Sequence, residues 1–283
     1  MRAAVLGSPI EHSLSPVLHT AAYAELGLAG EWSYERFECD EAGLPAFLAR
    51  CDRTWAGLSL TMPLKRVALE LADEVDELAV QVGGANTLVF TAGRVHAWNT
   101  DVAGIMAALR EAGIDRVRSA AVLGGGATAA SAVAALRGLG ALDPGAVTVL
   151  ARDPARAAGV EAAAGRMGLA IGVRPLAEIE RHLDVDLVVS TLPAGAADLL
   201  VPAVAASRAA LFDVVYSPWP TELARAVHAA GAGAGQRSGR IAVGGFPMLL
   251  HQAAVQVELM TGAERAPVEA MRAAGEAELR RRA

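Results

Sequence analysis

Three groups of residues in this 283-residue chain have types and spacings that could do chemistry. The first is Gly124-Gly125-Gly126-Ala127-Thr128-Ala129, in which Gly124, Gly126 and Ala129 fit the pattern G-x-G-x-x-A. Glycine lets a backbone approach a pyrophosphate closely, and a helix that follows directs its unpaired N–H groups and positive end at the phosphates. The second is Arg152 with Arg156, one helical turn apart, where NAD-binding units commonly place an acidic residue. Two guanidinium groups there suit a 2′-phosphate, hence NADP, although Asp153 between them could bind a ribose instead. The third group is scattered: Ser13 and Ser15 before Pro16, Lys65 after Pro63, Asn86 after Gly83-Gly84-Ala85, and Asp101 after Asn99-Thr100. Two hydroxyls ahead of a helix can cap it or hold a carboxylate at its N-terminus. Lysine is poorly matched to the positive end of a helix, so Lys65 in a first turn is either a solvated charge or has a carboxylate or ligand partner. Asn86 and Asp101 lie beside turns, where turn and capping chemistry is the competing reading.

Elements that could position these residues alternate along the chain. Strands are expected at 2–6, 32–37 and 56–60, with helices at 16–26, 42–50 and 65–71 between and after them. The alternation points to an open α/β sheet with parallel strands, whose ligands bind at the carboxyl ends of strands. The acidic run Asp73, Glu74, Asp76, Glu77 reads as a solvated helix face. A hairpin (87–90 and 95–98 about Ala92-Gly93) and a helix at 102–111 lead to strand 120–123, the glycine turn, a helix and strand 146–150, which form one βαβ unit. Helices at 154–167 and 176–182 and strands at 170–173, 187–190 and 210–215 follow. The last two strands end in loops carrying Thr191, Val214 and Tyr216, as at the rim of a nucleotide crevice. A flexible Gly/Ala segment is expected at 230–239, then a strand at 241–243, the turn Gly244-Gly245, a helix from 248 towards 261, and an exposed charged helix at 267–281. Gln252 and Gln256 share a face of the largely apolar helix, as satisfied core groups or as ligand donors.

The totals narrow the function classes. Hydrophobic residues make up 53 % and charged ones 20 %, which gives a folded chain long enough for two domains. A formal net charge of −6 argues against nucleic-acid or anionic-membrane binding. Cys39 and Cys51 have no metal-like spacing, so reduced thiols and no metal are expected. The first residues lack the apolar core of a signal peptide, and the charge-free stretch 119–136 carries a glycine cluster that argues for burial in protein rather than lipid. A soluble, cytoplasmic protein is expected, as monomer or homodimer. Gly57-Leu58-Ser59-Leu60-Thr61 fails the G-x-S-x-G elbow at its last position, which leaves serine-hydrolase chemistry without support.

Taken together, the loops resemble the shikimate dehydrogenase family over nearly the whole chain. The matching stretches are Ser13-Leu14-Ser15-Pro16, the run from Ser59 through Thr61 to Lys65, Ala85-Asn86-Thr87-Leu88, Asn99-Thr100-Asp101, the glycine loop, Asp213-Val214-Val215-Tyr216 and Met248-Leu249-Leu250-His251-Gln252. The resemblance implies a catalytic domain (1–101), a Rossmann-like, doubly wound NADP-binding domain (102–243) and C-terminal helices (244–283) returning to the first domain. It implies reversible reduction of 3-dehydroshikimate by NADPH. Lys65 and Asp101 would be the catalytic pair and Ser13 and Ser15 the carboxylate ligands, with Thr61, Asn86, Tyr216 and Gln252 on the ring hydroxyls. NADP(H) would lie on Gly124, Gly125, Gly126, Ala127, Thr128, Arg152, Arg156, Thr191, Val214 and Gly245. Three positions depart from the family pattern. Ser59 stands where asparagine is common, Ala127 replaces a glycine, and Ala151-Arg152-Asp153 replaces Asn-Arg-Thr/Ser. The alternatives are a quinate/shikimate or aminoshikimate dehydrogenase using NAD(P), and a nucleotide-binding regulator without catalysis.

Overall fold

The computed structural model describes residues 1–233 and 240–282, so 234–239 of the expected flexible segment lie outside the described residues. The chain forms two compact units, Met1–Asp101 with Leu250–Ala283, and Val102–Leu249. In the first, the elements run β1 (Arg2–Gly7), α1 (Ser15–Glu25), β2 (Ser33–Glu38), α2 (Leu44–Leu48), β3 (Trp55–Leu60), α3 (Val67–Leu71), β4 (Glu74–Val75), α4 (Glu77–Val82), β5 (Thr87–Thr91) and β6 (Arg94–Trp98). Their sheet has the order β2-β1-β3-β5-β6-β4. It is mixed rather than parallel throughout, because β5 runs antiparallel to both β3 and β6. The reversal is made at Ala92-Gly93, both in the left-handed region (φ 53° and 78°), the geometry that matches the twist of a two-residue hairpin.

This topology positions the site. β1 and β3 are parallel, so the loops after Gly7 and Leu60 leave at one edge of the sheet. The antiparallel β5 starts at that edge, with Thr87 opposite Ser59, and β6 ends there, with Trp98 opposite Thr87. Four chain segments, bearing Ser13 and Ser15, Thr61 and Lys65, Asn86, and Asp101, therefore depart from one edge. Alternation along β1 builds a core on each side. Ala4 and Leu6 join Leu44, Phe47, Trp55 and Leu58, while Ala3 and Val5 join Tyr23, Tyr34 and Met260.

Local chemistry moves several boundaries from their sequence positions. The acidic run is not a solvated helix face: Glu74 sits in β4 against His96, the Asp73 carboxylate accepts from Val95 N, and Asp76 caps α4 through Leu78 N. Lys65 does not open a helix, since residues 62–66 form a turn and α3 begins at Val67.

In the second unit α5 (Asp101–Glu111) leads into β7 (Ala120–Leu123), α6 (Ala127–Gly138), β8 (Val147–Ala151), α7 (Ala158–Arg166), β9 (Gly172–Pro175), β10 (Leu187–Ser190), α8 (Val201–Ala206), β11 (Ala210–Asp213), α9 (Glu222–Gly233) and β12 (Ala242–Val243). Residues 154–157 and 176–182 are 3₁₀ rather than α-helical. All six strands are parallel in the order β9-β8-β7-β10-β11-β12, the doubly wound order with its switch point between β7 and β10. Alanines let α6 lie close to the sheet, and residues 129–136 are all buried.

Two helices complete the chain: α10 (Gly245–Thr261) and α11 (Val268–Arg282). The first starts three residues before its expected position, because Pro247 in a first turn costs no intrahelical bond. α11 is not exposed all round. Met271 and Gly275, four apart, are buried, the helix packs on α1, and Arg282 donates to the His12 carbonyl (2.7 Å). No helix among the described residues is long and apolar enough to cross a membrane.

The packing of α10 on β3 rests on Gly57. A Cβ there would meet the Leu88 carbonyl at 2.4 Å and Met260 at 3.0 Å, and the backbone oxygen cannot swing away. Gly57→Ala is expected to destabilise the first unit by about 1–3 kcal/mol, the usual cost of overpacking. Urea unfolding followed by Trp fluorescence checks it, and an unchanged midpoint would contradict this account of the packing.

Candidate active site

At the shared edge of the first sheet, Lys65 Nζ lies 2.5 Å from Asp101 Oδ2, with side-chain exposures of only 13 % and 6 %. Lys65 is held by its own backbone, whose carbonyl accepts from Ala85 N (2.8 Å), and Asp101 opens α5 directly after β6. The second carboxylate oxygen, Oδ1, accepts from Asn86 Nδ2 at 2.9 Å. A carboxylate this buried is tolerable only with such partners.

Asn86 is fixed by groups whose direction is unambiguous. Thr100 N can only donate, and it points at Asn86 Oδ1 (2.8 Å). Nδ2 therefore faces Asp101 Oδ1, Thr100 Oγ1 (2.9 Å) and Gln252 Oε1 (3.2 Å). The same logic orients Gln256. Its Nε2 faces the Asn86 carbonyl (3.2 Å) and Thr87 Oγ1 (2.9 Å), so its Oε1 accepts from Ser59 Oγ (2.8 Å) and more weakly from His19 Nε2 (3.4 Å). His19 thus carries its hydrogen on Nε2, and its buried Nδ1 has no hydrogen-bond partner among the described residues. Burial pushes the imidazole down to about 3, against a smaller opposing effect of the Gln256 bond. Its ring stacks on Tyr34 at 3.9 Å, and the Tyr34 hydroxyl donates to Ser59 Oγ (2.6 Å).

The structure thus joins Lys65, Asp101, Asn86 and Gln252 through direct hydrogen bonds. Ser13 and Ser15 stand together at the start of α1, and the capping reading holds in part. Leu14 occupies the cap position, and Ser13 Oγ accepts from Ser15 N, the first N–H of the helix, at 3.3 Å. Thr61 follows β3 at the same edge, its methyl against Gly7. Sequence reasoning missed Tyr34 and His19. No local signal marks them, since each enters the network by packing between elements remote in sequence.

In the second unit, Gly124 has φ +111°, and a Cβ there would meet Thr191 Oγ1 at 2.4 Å. Thr191 Oγ1 donates to Leu123 O (2.8 Å), which locks the turns after β7 and β10 together at the switch point. Gly126 caps α6 with no side-chain bond, and Ala127 is the first helical residue, a conformation that suits alanine. Thr128 is half-buried in the same turn. Arg152 and Arg156 are exposed and have no carboxylate partner among the described residues. Asp153, the alternative ribose ligand, is occupied in capping the 3₁₀ turn through Ala155 N (3.1 Å). Ala151 is the buried last residue of β8. Gly245 is held against the Val214 carbonyl, where a Cβ would lie 1.9 Å from the oxygen. Asp213, buried at the end of β11, accepts from Thr221 Oγ1 (2.9 Å) and Val215 N (3.3 Å) and so tethers the loop carrying Val214 and Tyr216. Burial pushes its carboxyl up, opposed by those two bonds.

The doubly wound sheet with a glycine turn at its switch point, together with a buried lysine–carboxylate pair on a separate mixed sheet, defines a two-domain dinucleotide-dependent enzyme. Residues 5–88 match the shikimate dehydrogenase substrate binding domain, and 245–274 match the shikimate 5′-dehydrogenase C-terminal domain. A shikimate dehydrogenase (NADP(+)) of Methanocella arvoryzae is 35 % identical over 94 % of this chain and 95 % of its own. The crystal structure of Mycobacterium tuberculosis shikimate dehydrogenase matches with a TM-score of 0.86 and 42 % identity, covering 98 % of this chain and 99 % of that one. The Thermus thermophilus enzyme in complex with NADP(H) and shikimate matches with a TM-score of 0.83 and 32 % identity, over 99 % and 100 % of the two chains. The chain belongs to the shikimate dehydrogenase family.

His19 gives this site a stability signature. Its folded pKa is lowered, so below about 6.5 the unfolded chain takes up a proton that the folded chain refuses until about pH 3. Stability is therefore present above pH 6.5 and falls as pH drops through that window, by up to ~1.4 kcal/mol per pH unit. His19→Phe, which keeps a ring on Tyr34, is expected to show a shallower acid loss in denaturant titrations between pH 6.5 and 4. Equal slopes would contradict the buried neutral imidazole.

Proposed function

We propose that this protein is an NADP-dependent shikimate dehydrogenase, interconverting 3-dehydroshikimate and shikimate, with Lys65 and Asp101 as its catalytic pair. The observation that carries the reading is the 2.5 Å contact between these two nearly buried groups, with Asn86 on the other carboxylate oxygen. A ketone being reduced needs a proton at its oxygen as negative charge develops there, and the Lys65 ammonium can supply it. In the reverse direction the amine takes the proton of the hydroxyl. Asp101 keeps the ammonium aimed and leaves an oxygen lone pair for an adjacent ring hydroxyl. Asn86, Gln252 and Thr61 add amide and hydroxyl partners that distinguish a polyhydroxylated ring from an apolar one. Ser13 and Ser15, at the start of the 11-residue α1, hold the substrate carboxylate with the help of the helix dipole.

For the cofactor, the turn opened by Gly124 supplies backbone N–H groups of Gly125, Gly126, Ala127 and Thr128 for the pyrophosphate. A side chain at 124 would collide with Thr191 Oγ1 and push the turn off the end of β10. Arg152 and Arg156, without a carboxylate partner among the described residues, suit the 2′-phosphate that marks NADP. Thr191, Val214 and Gly245 line the same strand ends. When bound, NADPH supplies the hydride. A cytoplasmic place accords with the free thiols of Cys39 and Cys51.

Steady-state oxidation of shikimate and of quinate, each with NADP⁺ and NAD⁺, tests the reading. Turnover concentrated in shikimate with NADP⁺ is expected, whereas equal or faster quinate or NAD⁺ turnover would overturn the assigned specificity. Lys65→Ala is expected to lower kcat by about 10²–10⁴-fold with KM for NADP⁺ unchanged. A folded variant with near-wild-type kcat would remove Lys65 from the chemistry. Arg152→Gln is expected to raise KM for NADP⁺ roughly ten- to hundredfold and leave that for NAD⁺ unaltered, as loss of a charge-assisted phosphate contact requires.

A further inference from the structure

Gln256 lies on α10 one turn beyond Gln252, buried, with every hydrogen-bonding position of its amide used. Both of its N–H groups serve Asn86. One donates to the Asn86 main-chain carbonyl (3.2 Å). The other donates to Thr87 Oγ1 (2.9 Å), which frees the Thr87 hydrogen for Asn86 Oδ1 (2.9 Å). At its other end, Gln256 Oε1 accepts from Ser59, which itself accepts from Tyr34. The Tyr34 phenol also lies beside the Ser15 hydroxyl.

Followed donor by donor, these bonds run in one direction: Tyr34 to Ser59 to Gln256 to Thr87 to Asn86 to Asp101. Bonds arranged head to tail polarise one another, and a fully satisfied buried chain holds its members in one arrangement. We infer that Gln256 is a positioning residue for the reaction: it fixes Asn86 from both its main-chain and side-chain oxygens, and through Asn86 the Asp101 carboxylate. Its effect on catalysis passes through Asn86 and depends on no contact of its own with an ionised group. The inference rests on the roles given above to Lys65, Asp101 and Asn86. The groups around Gln256 that carry or could carry charge are His19 and, beyond Ser59, Tyr34. Asp101 and Lys65 lie beyond Asn86.

A kinetic cycle tests it on the full-length protein. Gln256→Met keeps the volume and removes the amide, and Gln256→Glu keeps the acceptor and removes the donors. Each is made in the unaltered chain and in Asn86→Ala, and kcat for shikimate oxidation is measured beside KM for NADP⁺ and the unfolding midpoint. In the unaltered chain either variant is expected to lower kcat about tenfold, the rate equivalent of an ordinary hydrogen bond, with KM for NADP⁺ unmoved. In the Asn86→Ala background the same substitution is expected to leave the residual kcat within twofold, since its route to Asp101 is already cut. An equal fractional loss in both backgrounds would give Gln256 a merely structural role and overturn the inference. So would a kcat within twofold of the unaltered chain for Gln256→Glu. Absence of shikimate oxidation by the unaltered protein would instead overturn the function on which the inference rests. Should Gln256→Met not fold, Gln256→Glu alone decides.

Discussion

The first unit is organised around one electrostatic constraint. The Asp101 carboxylate is 6 % exposed, and a charge so placed must have both oxygens satisfied. Lys65 and Asn86 meet that demand from two different loops. The antiparallel β5 places Asn86 beside the end of β3 and brings β6 back so that Asp101 follows at the same edge. The hairpin at Ala92-Gly93 is thus part of how the pair is made. Fold and site are one problem here: the charge needs its partners, and the topology supplies them.

Much of this was legible in the sequence because the signals are local. Glycine at 124, 126, 244 and 245, and Arg152 after an apolar strand, announce backbone or phosphate chemistry in a handful of residues. Lys65 was suspect because lysine sits badly at a helix start. The structure resolves the misfit differently, by a turn before α3 and a carboxylate 36 positions later. What escaped depends on partners remote in sequence. The acidic residues 73–77 looked like a solvated helix because a two-residue strand such as β4 has no period of its own and exists only through its pairing with β6. The buried side of α11 rests on two residues, Met271 and Gly275, too few to outweigh its many charges in the pattern. Gln256 was visible as a glutamine on an apolar face, but which bonds it makes follows only from the register of β5 against β3.

The two units meet their buried polar demands in opposite ways. In the second, half of the helix that follows the glycine turn is alanine, and its own hydrogen bonds satisfy the backbone while small side chains let it lie on the sheet. The polar work is left to turns, as at Thr191 on the Leu123 carbonyl and Asp213 on Val215 and Thr221. Such a surface offers a ligand mainly backbone N–H groups, which suits phosphates that carry little side-chain information. The first unit instead buries side-chain amides and hydroxyls between α10 and the sheet, where their fixed directions can match the hydroxyls of a ring.

Ser59 draws these threads together. Where the family resemblance leads one to expect asparagine, the serine here has its hydroxyl 2.6 Å from the Tyr34 oxygen and 2.8 Å from Gln256 Oε1. A longer side chain would displace one or both, so the substitution at 59 is coupled to Tyr34 and Gln256 rather than independent of them. The ring of His19, neutral because it is buried, holds Tyr34 in place by stacking, and its Nε2–H takes up the remaining lone pair of Gln256. A short residue at the sheet edge is thereby compensated by three side chains behind it. Each is polar and buried, and each is worth its desolvation only because its neighbours complete its hydrogen bonds. That interdependence is why single positions in this region carry little meaning alone, and why the direction of the bonds, rather than the identity of any one residue, is what the fold preserves at Asp101.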